Sequence, residues 1–185
     1  MTSILKVDNI KDSADNQAIS ISGGVATFTN PPINVGLGMA DQFRLTGTTN
    51  DGTNADVTSN IERIDTAGQG TLGTGMTESS GIYTFPSTGI YLVIANADFV
   101  IGSGENNAFL NVLVTTDNSS YTIIGSANSG GSSFGANGSC MTLINVTNTS
   151  NVKVKFSTTS MNSGTALAGS STQNRTHFTF IKLGG

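Results

Sequence analysis

The stretch Ser80-Gly-Ile-Tyr-Thr-Phe-Pro-Ser-Thr-Gly-Ile-Tyr-Leu-Val93 decides the reading of this chain. Residues 81–85 and 89–100 each read as a strand. Between them, Pro86 lacks the N–H that a ladder requires, and Ser87-Thr88-Gly89 supplies turn residues. The same rhythm continues on both sides, with strands expected at 42–46, 60–65, 108–115, 121–126, 138–147, 152–158 and 176–183. Lys153 and Lys155 alternate with Val152, Val154 and Phe156, while His177, Thr179 and Ile181 oppose Phe178, Phe180 and Lys182. No helical 3.6-residue period intervenes. About nine short strands separated by Gly/Ser/Asn turns describe an all-β sandwich. The segments 46–60, 102–107, 128–137 and 160–174 are poor in apolar residues and read as loops, either mobile or buried between subunits.

Composition agrees. The chain has 185 residues, 23 Gly, 3 Pro and no Trp, and only 11% of it is charged. Ser, Thr and Asn fill much of the remainder, and they suit pleated, half-exposed surfaces and turns rather than helix faces. The length allows one well-packed core. The eight Lys and Arg are scattered and the formal charge is −4, so no basic stripe exists to neutralise nucleic-acid phosphates. The single cysteine, Cys140, excludes an intrachain disulfide and a multi-cysteine zinc site, and its apolar neighbours suggest a buried thiol in a strand. The start of the chain shows no charged leader followed by an apolar run, and the apolar run around 90–97 is too short to span a bilayer, so no membrane insertion is expected.

Residues 1–40 differ from residues 41–185, and the two are read as an attachment segment and a main domain. The apolar positions Ile4, Leu5, Val7 and Ile10 open the first segment. Alternating runs at 18–22 and 25–29 flank Gly23-Gly24, a hairpin signal, and Asn30-Pro31-Pro32 stops it. A hairpin alone is marginal in water, so these residues are expected to pack on copies of themselves or on a partner.

Few residues are of a type and spacing that chemistry needs. His177 is the one histidine, which removes multi-histidine metal sites and leaves a single imidazole as a general base. Gly131-Ser-Ser-Phe-Gly135 matches a nucleophile elbow in letters, with Ser133 at its centre, but no helical pattern follows it. The acidic residues are too spread to nominate a glycosidase pair. Asp51, Asn54 and Asp56 offer oxygen ligands for Ca²⁺ in one loop, although the EF-hand order and its distal Glu are missing and a polar turn is the alternative reading. No cofactor and no catalytic residue is expected.

The quoted stretch resembles a signature of the C1q/TNF-like superfamily, with Gly81, Phe85, Pro86, Gly89 and Tyr91 falling on it. Phe178-Thr-Phe-Ile-Lys-Leu183 is similar to that family's closing strand, and Asn111-Val-Leu-Val-Thr-Thr-Asp-Asn118 resembles its central strand and turn. The resemblance implies a jelly-roll sandwich that forms a homotrimer through one sheet. It offers Phe85, Tyr91, Phe109, Phe178 and Phe180 as trimer-interface or core residues, with those two roles not separated. Ser3-Ile-Leu-Lys-Val-Asp-Asn-Ile10 is similar to the opening of structural proteins of marine and cyanobacterial tailed phages. Together these imply a non-catalytic protein on the virion surface, made in the bacterial host's cytoplasm. It would be a trimeric capsid decoration protein or head fibre, anchored by Ile4, Leu5, Val7 and Ile10 to capsid or tail proteins. Its jelly roll would stabilise the shell or meet a host-surface glycan or protein. The alternatives are a short tail-fibre tip and a free C1q-like, lectin-like recognition module.

Overall fold

The computed structural model describes residues 9–11, 17–22, 25–28, 37–131 and 135–184. The chain divides into two units, Met1–Gly36 and Leu37–Gly185. The division falls a few residues before the break at 41 read from composition, because Met39 and Ala40 already pair with Lys182 and Ile181.

In the first unit, β1 (Asn9–Lys11), β2 (Gln17–Ser22) and β3 (Val25–Phe28) form an antiparallel three-stranded sheet. The Ser22↔Val25 pair closes the hairpin across the two expected glycines, which themselves lie outside the described residues. Strand β1 was not anticipated in the polar text there. Its register puts Ile10, Ile19 and Phe28 in one cross-strand row.

The second unit contains β4 (Met39–Leu45), β5 (Ile61–Arg63), β6 (Thr77–Ser79), β7 (Ile82–Thr84), β8 (Gly89–Val100) and β9 (Ala108–Thr115). After them come β10 (Thr122–Ser129), β11 (Ala136–Val146), β12 (Lys153–Thr159), β13 (Ala166–Leu167) and β14 (His177–Gly184). They make two antiparallel sheets and, among the described residues, no helix. One sheet has the order β10-β9-β12-β7-β6. The other has the order β11-β8-β14-β4-β5, with β13 also paired to β8. Consecutive strands repeatedly switch sheets, which is the jelly-roll arrangement.

Alternation explains the core. In β8 the side chains of Tyr91, Val93, Ala95, Ala97 and Phe99 are buried, while the intervening residues face outward. Phe178 and Phe180 of β14 do the same beside them, paired with Ala95 and Val93. Across the sandwich, Phe156 of β12 stacks on Phe178 with ring centroids 3.8 Å apart and planes at 7°. Tyr83 of β7 meets Phe43, Phe156, Phe178 and Phe180 with centroids 5.1–6.0 Å away. Each fully buried aromatic ring stabilises the fold by about 1.5–3 kcal/mol through area removed from water, and pairs of them by about 0.5–1.5 kcal/mol more.

The deciding stretch is the corner that carries the chain between sheets. Phe85 and Tyr91, on either side of Pro86, touch at 4.7 Å, and Tyr91 donates its hydroxyl proton to the Ser87 carbonyl at 3.0 Å. Ser80 and Gly81 both have positive φ, 51° and 80°. A Cβ at Gly81 would run into the Val57 carbonyl oxygen, which is backbone and cannot turn aside. The position therefore needs glycine twice over, for its φ and for its space. Gly81→Ala is expected to lower unfolding free energy by about 2–4 kcal/mol, a loss in line with strained backbone plus steric conflict. Urea denaturation of the full chain followed by far-UV circular dichroism checks it, and a change within 0.5 kcal/mol, of the size surface substitutions give, would contradict this account.

Candidate functional site

The outward side of the six-stranded sheet is where the chain leaves apolar groups unsatisfied. Residues directly opposite one another in an antiparallel pair share a face, so the register assembles rows. Leu143 of β11 pairs with Leu92 of β8, Leu92 with Ile181 of β14, Ile181 with Ala40 of β4, and Ala40 with Leu72 through an isolated bridge. This row crosses β11, β8, β14 and β4 without a polar side chain. The next row runs Met141, Ile94, Thr179, Gln42, and the one after it Ser139, Asn96, His177, Arg44. The face thus grades from apolar to polar along the strands. Met141 is 66% exposed and Leu143 62%. Large aliphatic groups this open, in a contiguous row, mark an interaction surface.

Arg44 closes the polar end. Its side chain is fully buried although it points to the outward side, because two loops fold over it. The guanidinium bonds Glu62 at 2.7 Å, Asp65 at 2.7 Å, Thr66 at 2.8 Å and Gln69 at 3.1 Å, and also the Ser171 carbonyl. A buried guanidinium is tolerated because its N–H groups meet acceptors and two carboxylates balance its charge. On the core side, buried Asp41 likewise accepts from Arg63, from the Met76 N–H at 2.7 Å and from the Gln42 N–H at 2.9 Å.

His177 sits at the polar end with both ring nitrogens engaged. Its Nδ1 lies 3.0 Å from the Arg175 carbonyl oxygen and its Nε2 3.1 Å from Asn96 Nδ2. A carbonyl can only accept, so Nδ1 carries the proton and Nε2 accepts from the amide. Neither nitrogen faces a carboxylate or a hydroxyl that would make it part of a nucleophile–base pair. Ser133 lies outside the described residues.

The loop read as a calcium candidate has its oxygens committed elsewhere. Asp51 Oδ1 accepts from the Gly164 N–H at 3.0 Å, Asn54 Oδ1 from the Met161 N–H at 2.9 Å, and Asp56 Oδ2 pairs with Lys155 at 2.7 Å. These bonds tie segment 46–60 to segment 160–174 and to β12, instead of converging on a shared point. Among the described residues no group of three or more His, Cys, Asp or Glu is placed to hold a metal ion.

These bonds fasten the two segments to the rest of the subunit, while most of residues 51–60 stays exposed. Met161, Ala166, Leu167 and Ala168 are buried, and Glu105 bonds the Asn162 N–H at 2.7 Å and the Asn107 N–H at 3.2 Å. Burial alone would raise the Glu105 carboxyl. Hydrogen bonds from the backbone of Asn162, Asn107 and Asn106 and from the Thr165 hydroxyl outweigh it and hold the group below its ordinary value.

Of the five aromatic residues nominated for core or interface, Phe85, Tyr91, Phe178 and Phe180 are spent inside the chain's own core. Phe109 is half-buried, and its register partners Asn128 and Thr159 place it on the outward side of the other sheet. None of the five lies on the apolar row. Tyr91, Phe178 and Phe180 took the inward parity of β8 and β14, and the outward parity of that sheet carries the aliphatic residues Leu92, Ile94, Met141, Leu143 and Ile181. The signal was present in the sequence as apolar residues at the alternate positions, but only the register across three strands joins them. Cys140 is half-buried on the inward parity of β11, where burial pushes its thiol up. Of the attachment residues, Ile10 lies in β1 and is 47% exposed, while Ile4, Leu5 and Val7 lie outside the described residues.

The chain has the TNF/C1q-like jelly-roll fold. Murine APRIL matches with a TM-score of 0.57 at 14% identity, over 78% of this chain and 98% of that one. The Eiger TNF of S. frugiperda matches with 0.55 at 13%, over 80% and 94%. The globular domain of zebrafish complement 1qA matches with 0.52 at 15%, over 78% and 97%. No family model matches the sequence, and no curated protein does.

Glu105 yields a pH dependence. Its carboxyl titrates lower in the folded chain than in the unfolded one, so its contribution is complete above the unfolded value and is lost as pH falls through the folded one. The thermal midpoint of wild type should exceed that of Glu105→Gln by a constant margin above about pH 5.5, and the margin should shrink below about pH 4, where carboxyls take up protons. A margin independent of pH would contradict the assignment.

Proposed function

We propose that the chain is a non-catalytic virion structural protein that acts as a homotrimer, its subunits joined through the outward face of the six-stranded sheet. The observation that carries the assembly is the row Leu143–Leu92–Ile181–Ala40–Leu72, flanked by Met141 and Ile94. Covering such a row removes several aliphatic side chains from water at about 25 cal/mol per Å². The fold supports the same reading, because TNF/C1q-like neighbours are typically homotrimeric.

The setting on a tailed-phage virion rests on the resemblance of Ser3–Ile10 to phage structural proteins and on the separate N-terminal unit. In this reading residues 1–36 anchor the protein to a capsid or tail partner, and the jelly roll serves as a capsid decoration or head-fibre knob. The knob stabilises the shell or contacts a host-surface glycan or protein. His177, with both nitrogens held by Arg175 and Asn96, favours an assembly role over a catalytic one.

Sedimentation equilibrium tests the assembly. Wild type is expected as a trimer, and Met141→Glu/Leu143→Glu as a monomer with an unchanged circular dichroism spectrum, since both side chains are exposed within the subunit. A double variant that remains trimeric would place the interface elsewhere. Removing residues 1–36 should leave a folded trimer that no longer joins particles reconstituted in vitro, and incorporation of the truncated chain would end the anchoring role.

A further inference from the structure

Strand β11 carries two sulfur side chains next to each other, and the pleat sends them opposite ways. Cys140 takes the inward parity, half-buried against β10, where a Cβ at Gly125 would run into its sulfur. Met141 takes the outward parity and stands open to solvent. The other methionines among the described residues, Met39, Met76 and Met161, are exposed by 3% or less and belong to the core. A small oxidant in solution therefore reaches the Met141 sulfur and not those three.

Reactivity follows the same division. Cysteine is oxidised as its thiolate, and burial pushes the Cys140 thiol above its ordinary value, so little thiolate forms near neutral pH. A thioether has no proton to lose, and its rate of oxidation depends on access alone. Of the two adjacent sulfurs, the outward one is the better target.

Position gives that reaction a consequence. Met141 lies across from Ile94 and two residues before Leu143 on its own strand, one row from Leu143, Leu92 and Ile181. These aliphatic side chains offer no hydrogen-bond donor. A thioether packs well among them, whereas a sulfoxide brings a strong acceptor that they cannot satisfy once water is excluded.

We propose that Met141 is an oxidation site that controls subunit assembly. A hydroperoxide, hydrogen peroxide in the simplest case, transfers one oxygen atom to the Met141 thioether. The O–O bond breaks, an S–O bond forms, the sulfur is oxidised by two electrons to the sulfoxide, and the peroxide is reduced to water. The inference rests on the reading of this face as the subunit interface and adds chemical control to it. In a free subunit Met141 is open to the oxidant, and in the assembly the neighbouring copy covers it. Subunits oxidised first are kept out, while finished assemblies are shielded.

The full-length chain, diluted until dissociated, tests this by exposure to hydrogen peroxide, followed by peptide mass mapping and sedimentation equilibrium. Met141 should take up oxygen well before Met39, Met76 and Met161. The trimer dissociation constant of the oxidised protein should rise on the order of 100-fold, about 3 kcal/mol over three sulfoxides at about 1.4 kcal/mol per tenfold. Met141→Leu, compared with its own untreated sample, should show no such rise. A rise that persists in Met141→Leu would assign the effect to another sulfur and overturn the proposal. Oxidation of the core methionines as fast as Met141 would overturn the selectivity on which it depends. Equal constants for oxidised and untreated wild type would overturn the control while leaving the interface reading intact. Wild type that sediments as a monomer at all concentrations would remove the interface reading and this inference with it.

Discussion

Strand β8 is paired along both edges and apolar on both faces. Its inward parity, Tyr91 to Phe99, is covered by the opposite sheet. Its outward parity runs Ile90, Leu92, Ile94, Asn96, Asp98 and Val100. A central strand of this kind needs a cover on each side, as interior strands of fully buried sheets do. At the polar end the chain supplies cover for Arg44 of β4 by folding two loops over it, while Asn96 of β8 lines an open recess. At the apolar end the described residues supply none.

The way the loops are held follows from the shortage of apolar residues in them. Segments 46–60 and 160–174 have few aliphatic side chains to bury, so direction-specific bonds take over: Asn54 to Met161, Asp51 to Gly164, Glu105 to Asn162. Arg44 and Asp41 act similarly on either side of β4, each gathering several partners around one buried charge. Removing either would leave partners unpaired, which is why such groups, modest in net contribution, are costly to break.

APRIL, Eiger TNF and complement 1qA share this fold, and a shared fold does not settle function. In this chain the outward face of the six-stranded sheet is the one that carries the exposed aliphatic row. The case for an assembly role therefore rests on that face and its hydrophobic row. The phage setting rests separately on the leader, and the two stand or fall independently.

The text by itself determined the all-β class, because two-residue alternation and Gly/Asn turns are local properties of each segment. It also located β8 and β9 to the residue and the pairing of β2 with β3 across Gly23-Gly24. The aromatic residues were recognisable as structurally important, but not which of them faced a neighbour. Deciding that requires knowing which parity of each strand points into the core, and parity is set by how strands from distant parts of the chain pair. The same holds for β13, two residues in a stretch read as loop, which exists only because Thr49 and Val100 come to meet it. Leu92, Ile181, Leu143, Ala40 and Leu72 span more than 140 residues of sequence, and no local window contains them together. Hydrogen-bond register alone brings them into a row, and so the candidate site is a product of tertiary structure.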